Sequence, residues 1–165
     1  MQGSMIRAMT AKDTQAGIRL IREAISQCVT TNLDEADDLA ACCVEEMLTS
    51  LLSAAIEPDI HLAYEVDEQV VGLLLLKHPH RLSNLFVSPC YHHQGIAQAL
   101  IQRAVEMTYL RYPDAVITLN SSTYAQGFYR AVGFEQTGEG ELHPGGCIPF
   151  QLSVARYIDN LPASH

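Results

Sequence analysis

The run from Val70 to Leu76 constrains this chain more than any other stretch. It is apolar throughout apart from Gly72, and Lys77 ends it. Crossing a bilayer takes about 20 apolar residues, so this run is too short to span and reads as a buried strand. A strand that is apolar on both faces needs cover on both faces, which is the setting of a central strand between helix layers. Ile60 to Val66 precedes it, and Asp67-Glu68-Gln69 joins the two as a hairpin. The remaining sequence must supply helices for both sides of that pair.

It does so in order. Ile6 to Met9 predicts a short strand, and Thr10 to Asp13 carries helix-starting chemistry. Ile18, Ile21, Ala24 and Ile25 then repeat at helical spacing. After the polar break Thr30-Thr31-Asn32, the acidic stretch Asp34 to Asp38 opens a second helix at the end that favours negative charge. Its buried stripe is Val44, Met47, Leu48, Leu51, Leu52 and Ala55, and Pro58 ends it. Beyond the hairpin, Leu82 to Val87 predicts a third strand. A helix from about Gly95 follows, with Ile96, Ala97, Leu100, Ile101, Ala104 and Met107 on one face. Ala115 to Leu119 is a strand, Tyr124 to Val132 a short helix stopped by Gly133, and Phe134–Thr137 and Ile148–Val154 the closing strands. The order β-α-α-β-β-β-α-β-α-β-β defines an α/β fold, a mixed sheet with helices on both sides.

The chain has 165 residues, 48% hydrophobic and 18% charged, which suits one domain, placed at 5–157. Met1-Gln2-Gly3-Ser4 reads as a cloning remnant and 158–165 as a C-terminal tail. The first residues show no charged stretch followed by an apolar segment, so no signal peptide is expected, and no stretch suits a membrane. Five cysteines form no CxxC pair and no even framework, which points to a reducing, cytoplasmic setting. A net charge of −9 would repel nucleic acid and leans toward a cationic partner.

The most informative segment runs from Leu85-Phe86-Val87 through Ser88-Pro89-Cys90-Tyr91 to His92-His93-Gln94-Gly95-Ile96-Ala97. A strand ends at a proline, and a polar loop runs straight into a long helix. Gly95 and Ala97 have little side chain to keep a ligand off the backbone there. A helix start presents unpaired N–H groups and the positive end of its dipole, which together suit a pyrophosphate. Any helix start shares part of this character. The segment is not a Walker A loop, since no GK[ST] follows, and it lacks the three-glycine dinucleotide fingerprint.

That segment resembles the acetyl-CoA-binding motif of the GNAT N-acetyltransferase superfamily, a strand ending V-x-P followed by [QR]-x-x-G-x-[GA]. Gly95 and Ala97 match, while His92 replaces the usual Gln or Arg and His93 what is often Gly. A second window resembles the family's N-x-S-x-x-A-x-x-F-Y-x-x-x-G-F segment. Asn120, Ser122, Ala125, Phe128, Tyr129, Gly133 and Phe134 all fall on it. Together with the element order, the likeness covers about Ile6 to Val154. Phe134 to Gly138 and the late Gly-rich loop are similar to small stand-alone bacterial acetyltransferases.

The resemblance implies transfer of acetyl from acetyl-CoA to a primary amine, small or peptidyl, directly within a ternary complex and without a metal. It assigns backbone groups of Leu85, Phe86 and Val87 to the pantetheine arm, beside a strand splayed from its neighbour. It assigns the amides of His92, His93, Gln94, Gly95, Ile96 and Ala97 to the pyrophosphate. Asn120, Ser122, Ala125 and Phe128 would hold the cofactor, with Ser122 also capping the short helix. Tyr129 is the implied catalytic acid, a phenol of pKa about 10 able to donate to a thiolate whose conjugate acid lies near 8.5. Read by position alone, Tyr129 is more readily an ordinary half-buried helix aromatic.

The general base is not legible. Many relatives place a Glu on the third strand, where this chain has Ser83 and Asn84. His78, His80, Glu45, Glu46 and bulk water are substitutes. Cys90, beside the anion loop, could in principle carry acetyl, although a loop cysteine with no role is the plainer reading. His78 and His80 share a face if their strand continues, but no further ligands stand at metal spacing. Next to a pyrophosphate, His92 and His93 should bind acetyl-CoA more tightly as pH falls from about 8 to 6. Two other functions fit part of the pattern: a catalytically silent acyl-CoA-binding module, and a phosphate or nucleotide binder unrelated to acyl transfer. Thr30–Asp38 and Glu139–Cys147 should shape the acceptor site, and the closing strands could pair two copies of the chain.

Overall fold

The computed structural model describes residues 3–28, 32–53, 58–140 and 147–162. Thr30, Thr31, Ala55 and the loop residues 141–146, with Gly145 and Gly146, lie outside them, so their expected parts in shaping the acceptor site or a helix stripe are not described.

The first strand, β1 (Ser4–Ala8), is followed by a 3-10 turn, Ala11–Asp13, and helix α1 (Thr14–Cys28). Asp13 accepts the Thr10 N–H at 2.9 Å and meets both terminal nitrogens of Arg7, at 2.8 and 2.9 Å. Helix α2 (Leu33–Leu52) starts where the Asn32 side chain accepts the Glu35 N–H, with Asp34 and Glu35 in its first turn. Strands β2 (Ile60–Val66) and β3 (Gln69–Lys77) form the hairpin, turning through Asp67 and Glu68 at φ 49° and 69°. Then come β4 (Arg81–Val87), α3 (Ile96–Arg111), β5 (Val116–Ser121) and α4 (Gln126–Val132). The closing elements are β6 (Glu135–Gln136), β7 (Ile148–Ser153) and α5 (Val154–Asp159).

The seven strands form one sheet in the order β1-β2-β3-β4-β5-β7-β6. All neighbours are antiparallel except β4 and β5, which the α3 crossover makes parallel. As its apolar pattern requires, β3 lies inside the sheet with both faces covered. Leu73 joins the cluster of Ile21, Ile25 and Met47 under α1 and α2, and Leu74 joins that of Leu100, Ile101 and Val105 under α3. Gly72 is where α3 comes closest. A Cβ there would stand 3.0 Å from Ile96 Cγ2 and 3.2 Å from Leu100 Cδ1.

Several expectations need correction. Ser4 pairs with Val66, and the Gly3 N–H donates to Asp67 Oδ1 at 3.1 Å, so part of the expected cloning remnant belongs to the sheet. On α2, Leu52 is 79% exposed and the buried positions include Ala36, Ala40 and Met47. On α3, Met107 faces outward while Val105 and Thr108 are buried, a drift that comes from sealing the helix with α5 as well as the sheet. The expected tail at 158 cuts through α5, whose Tyr157 and Ile158 pack on the core and whose Ser153 cap accepts the Arg156 N–H. His78 and His80 do not continue a strand. They flank Pro79 in the turn between β3 and β4, with a cis His78–Pro79 bond.

Candidate active site

Parallel pairing between β4 and β5 is confined, among the described residues, to Arg81 opposite Thr118, where the Thr118 N–H donates to the His80 carbonyl at 3.0 Å. Beyond that rung the strands part. On its other edge β4 stays paired with β3 as far as Val87, and β5 stays paired with β7 through Ser121. The split therefore exposes two strand edges with their hydrogen-bonding groups directed into a gap.

The gap opens into a cleft of about 850 Å³. Ser83, Leu85, Phe86 and Val87 of β4 form one wall. His92, His93, Gly95, Ile96 and Ala97 form the end where α3 begins. Asn120, Ser122, Ala125, Phe128 and Tyr129 form the far wall. The residues that the resemblance assigns to the cofactor or to catalysis are thus brought together, except Gln94, which is exposed beside the cleft without lining it; Gly133 and Phe134 of the second window do not line it either. Tyr91, Gln98, Ser121 and Tyr124 also line it, as do Ala24, Ile25, Leu39 and Cys43 from α1 and α2. In sequence, Ala24 and Ile25 read only as helix stripe, Leu39 and Cys43 fell outside the stripe expected for α2, and nothing distinguished a core position from a cleft floor.

The helix start is open. Gly95 caps α3 in the left-handed region, φ 78°, and offers no side-chain acceptor to the first-turn amides. At this φ a side chain would be strained, which is why glycine stands here. The first turn thus points N–H groups into the cleft with the positive end of a long helix behind them. His92 is already engaged, since its Nε2 lies 3.0 Å from the Val87 carbonyl. A carbonyl only accepts, so that nitrogen carries the proton and the ring fastens the loop to the end of β4.

On the far wall, Tyr129 stands among Phe128, Phe134 and Phe150, with ring centroids 5.3, 5.5 and 6.2 Å away. Burial among these rings pushes its phenol well above the ordinary range, so it holds its proton at neutral pH. Ser122 Oγ accepts the Ala125 N–H at 3.2 Å, which supports the turn into α4. On the β4 wall, Asn84 donates from Nδ2 to the Cys43 carbonyl at 3.2 Å, while its Oδ1 and the Ser83 Oγ are buried without partners. No carboxylate stands among the described residues that line the cleft. His78 and His80 lie outside it, in a second cavity beside the β3–β4 turn.

This arrangement can hold an anion at the α3 start, take an extended amide-bearing chain between two strand edges, and donate a proton from a half-buried phenol. The comparisons agree with it. The Acetyltransferase (GNAT) domain model matches residues 14–149. Peptidyl-lysine N-acetyltransferase YjaB of Escherichia coli K12 is 29% identical over 116 residues, covering 70% of this chain and 73% of the relative. Its namesake from Salmonella typhimurium is 30% identical over 100 residues, 60% of this chain and 63% of that one. Among solved structures, the PaiA N-acetyltransferase of Thermoplasma acidophilum in complex with coenzyme A superposes with a TM-score of 0.77 at 18% identity, covering 92% of this chain and 99% of that one. With a family model spanning most of the chain and the split sheet seen in its fold, this protein belongs to the GNAT acetyltransferase family.

Proposed function

We propose that the chain acetylates a lysine-like primary amine, peptidyl or small and cationic, with acetyl-CoA as donor. The observation that carries this reading is the joining of three features in one cleft: the parted β4–β5 edges, the uncapped start of α3, and Tyr129. Relatives named for peptidyl-lysine acetylation support the acceptor class, and the net charge of −9 favours a cationic partner.

The residues fit the donor. First-turn amides of α3, chiefly Ile96 and Ala97, receive the pyrophosphate, with Gly95 leaving room and His92 holding the loop. The free edge of Leu85–Val87 pairs with the pantetheine amides as an added strand. A β4 backbone N–H at the split polarises the thioester carbonyl as the amine attacks. The phenol of Tyr129 then meets the departing sulfur. Because burial raises its pKa, it supplies a proton only to a thiolate that is itself desolvated in the same wall, and until then it contributes a charge-assisted hydrogen bond.

The amine must arrive neutral. With no carboxylate lining the described cleft, and with Ser83 and Asn84 on β4, its proton leaves to solvent. Ser83 Oγ, lacking a partner, gives the neutral amine an acceptor. Below the pKa of the acceptor, about 10.4 for lysine, kcat/KM should therefore climb about tenfold per pH unit. A plateau near pH 7 would reveal a protein base instead. Exposed free thiols at Cys42 and Cys90 support placing the enzyme in the reducing cytoplasm. The deciding experiment is thiol release from acetyl-CoA with lysine peptides and a panel of small amines. Turnover with at least one lysine-like acceptor is expected, and CoA binding without turnover on any of them overturns the reading.

A further inference from the structure

The second cavity, about 330 Å³, shares no lining residue with the cleft. It sits at the other end of β4, between the last turn of α2, the β3–β4 turn and the C-terminal end of α3. Its volume is at the lower end of the small-molecule range. His61 lines it, only 8% exposed, and neither of its ring nitrogens has a hydrogen-bond partner. A neutral imidazole always carries one donor and one acceptor, so this ring stands with both unmet inside the protein.

The surroundings say what would meet them. Met9, Leu51, Leu76 and Met107 give apolar walls, while Lys77 and Arg111 bring two cationic groups and Asp59 one carboxylate. Asp59 Oδ1 is taken by the His78 backbone N–H at 2.8 Å. A cationic ligand would meet two like charges, whereas an anionic one would complement them. No set of three His, Cys, Asp or Glu side chains among the described residues is placed to hold a metal ion. We propose that this cavity is a binding site for a small organic acid, its carboxylate hydrogen-bonded to the His61 ring and directed toward Lys77 and Arg111, its apolar body against Met9, Leu51 and Met107.

Binding would be coupled to a proton. Burial pushes the His61 imidazole down to about 4, against the pull of Asp59 and Asp13 in the other direction. His78, His80, Tyr112, Lys77 and Arg111 are the other titratable and charged groups that line the cavity among the described residues. A carboxylate on the ring favours its charged form, so the complex takes up a proton and loosens as pH rises, by about tenfold per pH unit between the pKa of the free ring and that of the bound ring, and levels off above the latter.

The test is a titration of the full-length chain, labelled with 15N at histidine, with hexanoate, hexanamide and hexylamine. Hexanoate should shift the His61 ring resonances saturably, at least about tenfold more tightly at pH 6 than at pH 8. Hexanamide and hexylamine should bind at least about tenfold more weakly than hexanoate at pH 6, each missing one part of the match. Saturating CoA should leave the hexanoate shifts in place, and His61→Phe should abolish them. Absence of a saturable shift would mean that water alone serves His61 and would overturn the site. Equal binding of acid and amide would overturn the ligand class. Displacement by CoA would move the acid into the cofactor cleft. The three-ligand comparison on the unaltered chain decides the matter even if His61→Phe does not fold. None of these outcomes depends on acetyl transfer.

Discussion

The two recesses lie at opposite ends of β4 and leave different kinds of group unpaired. In the large cleft the free groups belong chiefly to the backbone, strand edges beyond Arg81 and the amides at the start of α3, with the Ser83 hydroxyl beside them. In the small cavity the free group is one side chain, the buried ring of His61. A backbone site tolerates wide change in the residues that form it, provided the strands stay apart and nothing covers the amides. A backbone site of this kind can accept His92 and His93 where the family motif has other residues. A side-chain site depends on one residue and disappears with it. The difference teaches where to cut: the cleft is best attacked by filling it or by removing its phenol, and the cavity by deleting the ring.

The largest effect is expected from Tyr129→Phe, which keeps the aromatic cluster and deletes the donor. Its kcat should fall about a hundredfold while CoA affinity changes less than about twofold, read by steady-state kinetics and calorimetry. An unchanged kcat would remove Tyr129 from the chemistry. Next is Ala97→Asp, which sets a carboxylate among the α3 amides. It should raise KM for acetyl-CoA by about thirtyfold and leave melting almost unaltered, because acidic residues suit a helix start. An unchanged KM would show that the backbone there holds no phosphate, and the contrast between the recesses would fail.

Third is the pH dependence of stability set by His61. Its folded pKa, about 4, lies below the ordinary value of 6.5, so the unfolded chain binds the extra proton first. Stability is complete above pH 6.5 and drains away as pH falls toward 4, by about 2 kcal/mol once relaxation is allowed for. In His61→Phe that loss should be gone, as urea midpoints at pH 7 and pH 4.5 would show. The smallest effect concerns Asp13, which Arg7 holds down to about 2 from 3.8. Its contribution is present above pH 4 and is lost as pH falls through 2. Asp13→Asn should cost about 1 kcal/mol at pH 7, since the pair is only partly shielded from solvent. A larger loss would show that the Thr10–Asp13 turn, and not the ion pair, carries the effect.

Backbone sites announce themselves in sequence only through what they exclude. Gly95 and Ala97 were legible because a bare helix start needs small residues, and Tyr129 because its window fixes its position on α4. The split between β4 and β5 was not, since it is an absence of pairing and leaves no mark on either strand. The element order could be read because β3 demands cover on two sides and each helix carries a stripe. The stripes misled at Leu52, where the end of α2 outruns the core it covers, and at Met107, where α3 turns Val105 and Thr108 inward instead. Nor did the sequence reveal α5, which follows directly on β7 with Ser153 as both last strand residue and cap. His61 was hidden for a related reason: β2 buries it together with Leu62 and Ala63, and only the folded neighbourhood shows that no described group answers it.

The rung formed by Arg81 and Thr118, with the His80 carbonyl, sets how far the two strands can stay together. It works as the apex of a wedge. Longer acyl groups need depth toward that apex, so donor chain length should be governed less by the residues beside the sulfur than by where the strands first separate. Extending the pairing by one more rung would shorten the acyl group accepted, while the grip on the nucleotide end of the donor stayed as it was.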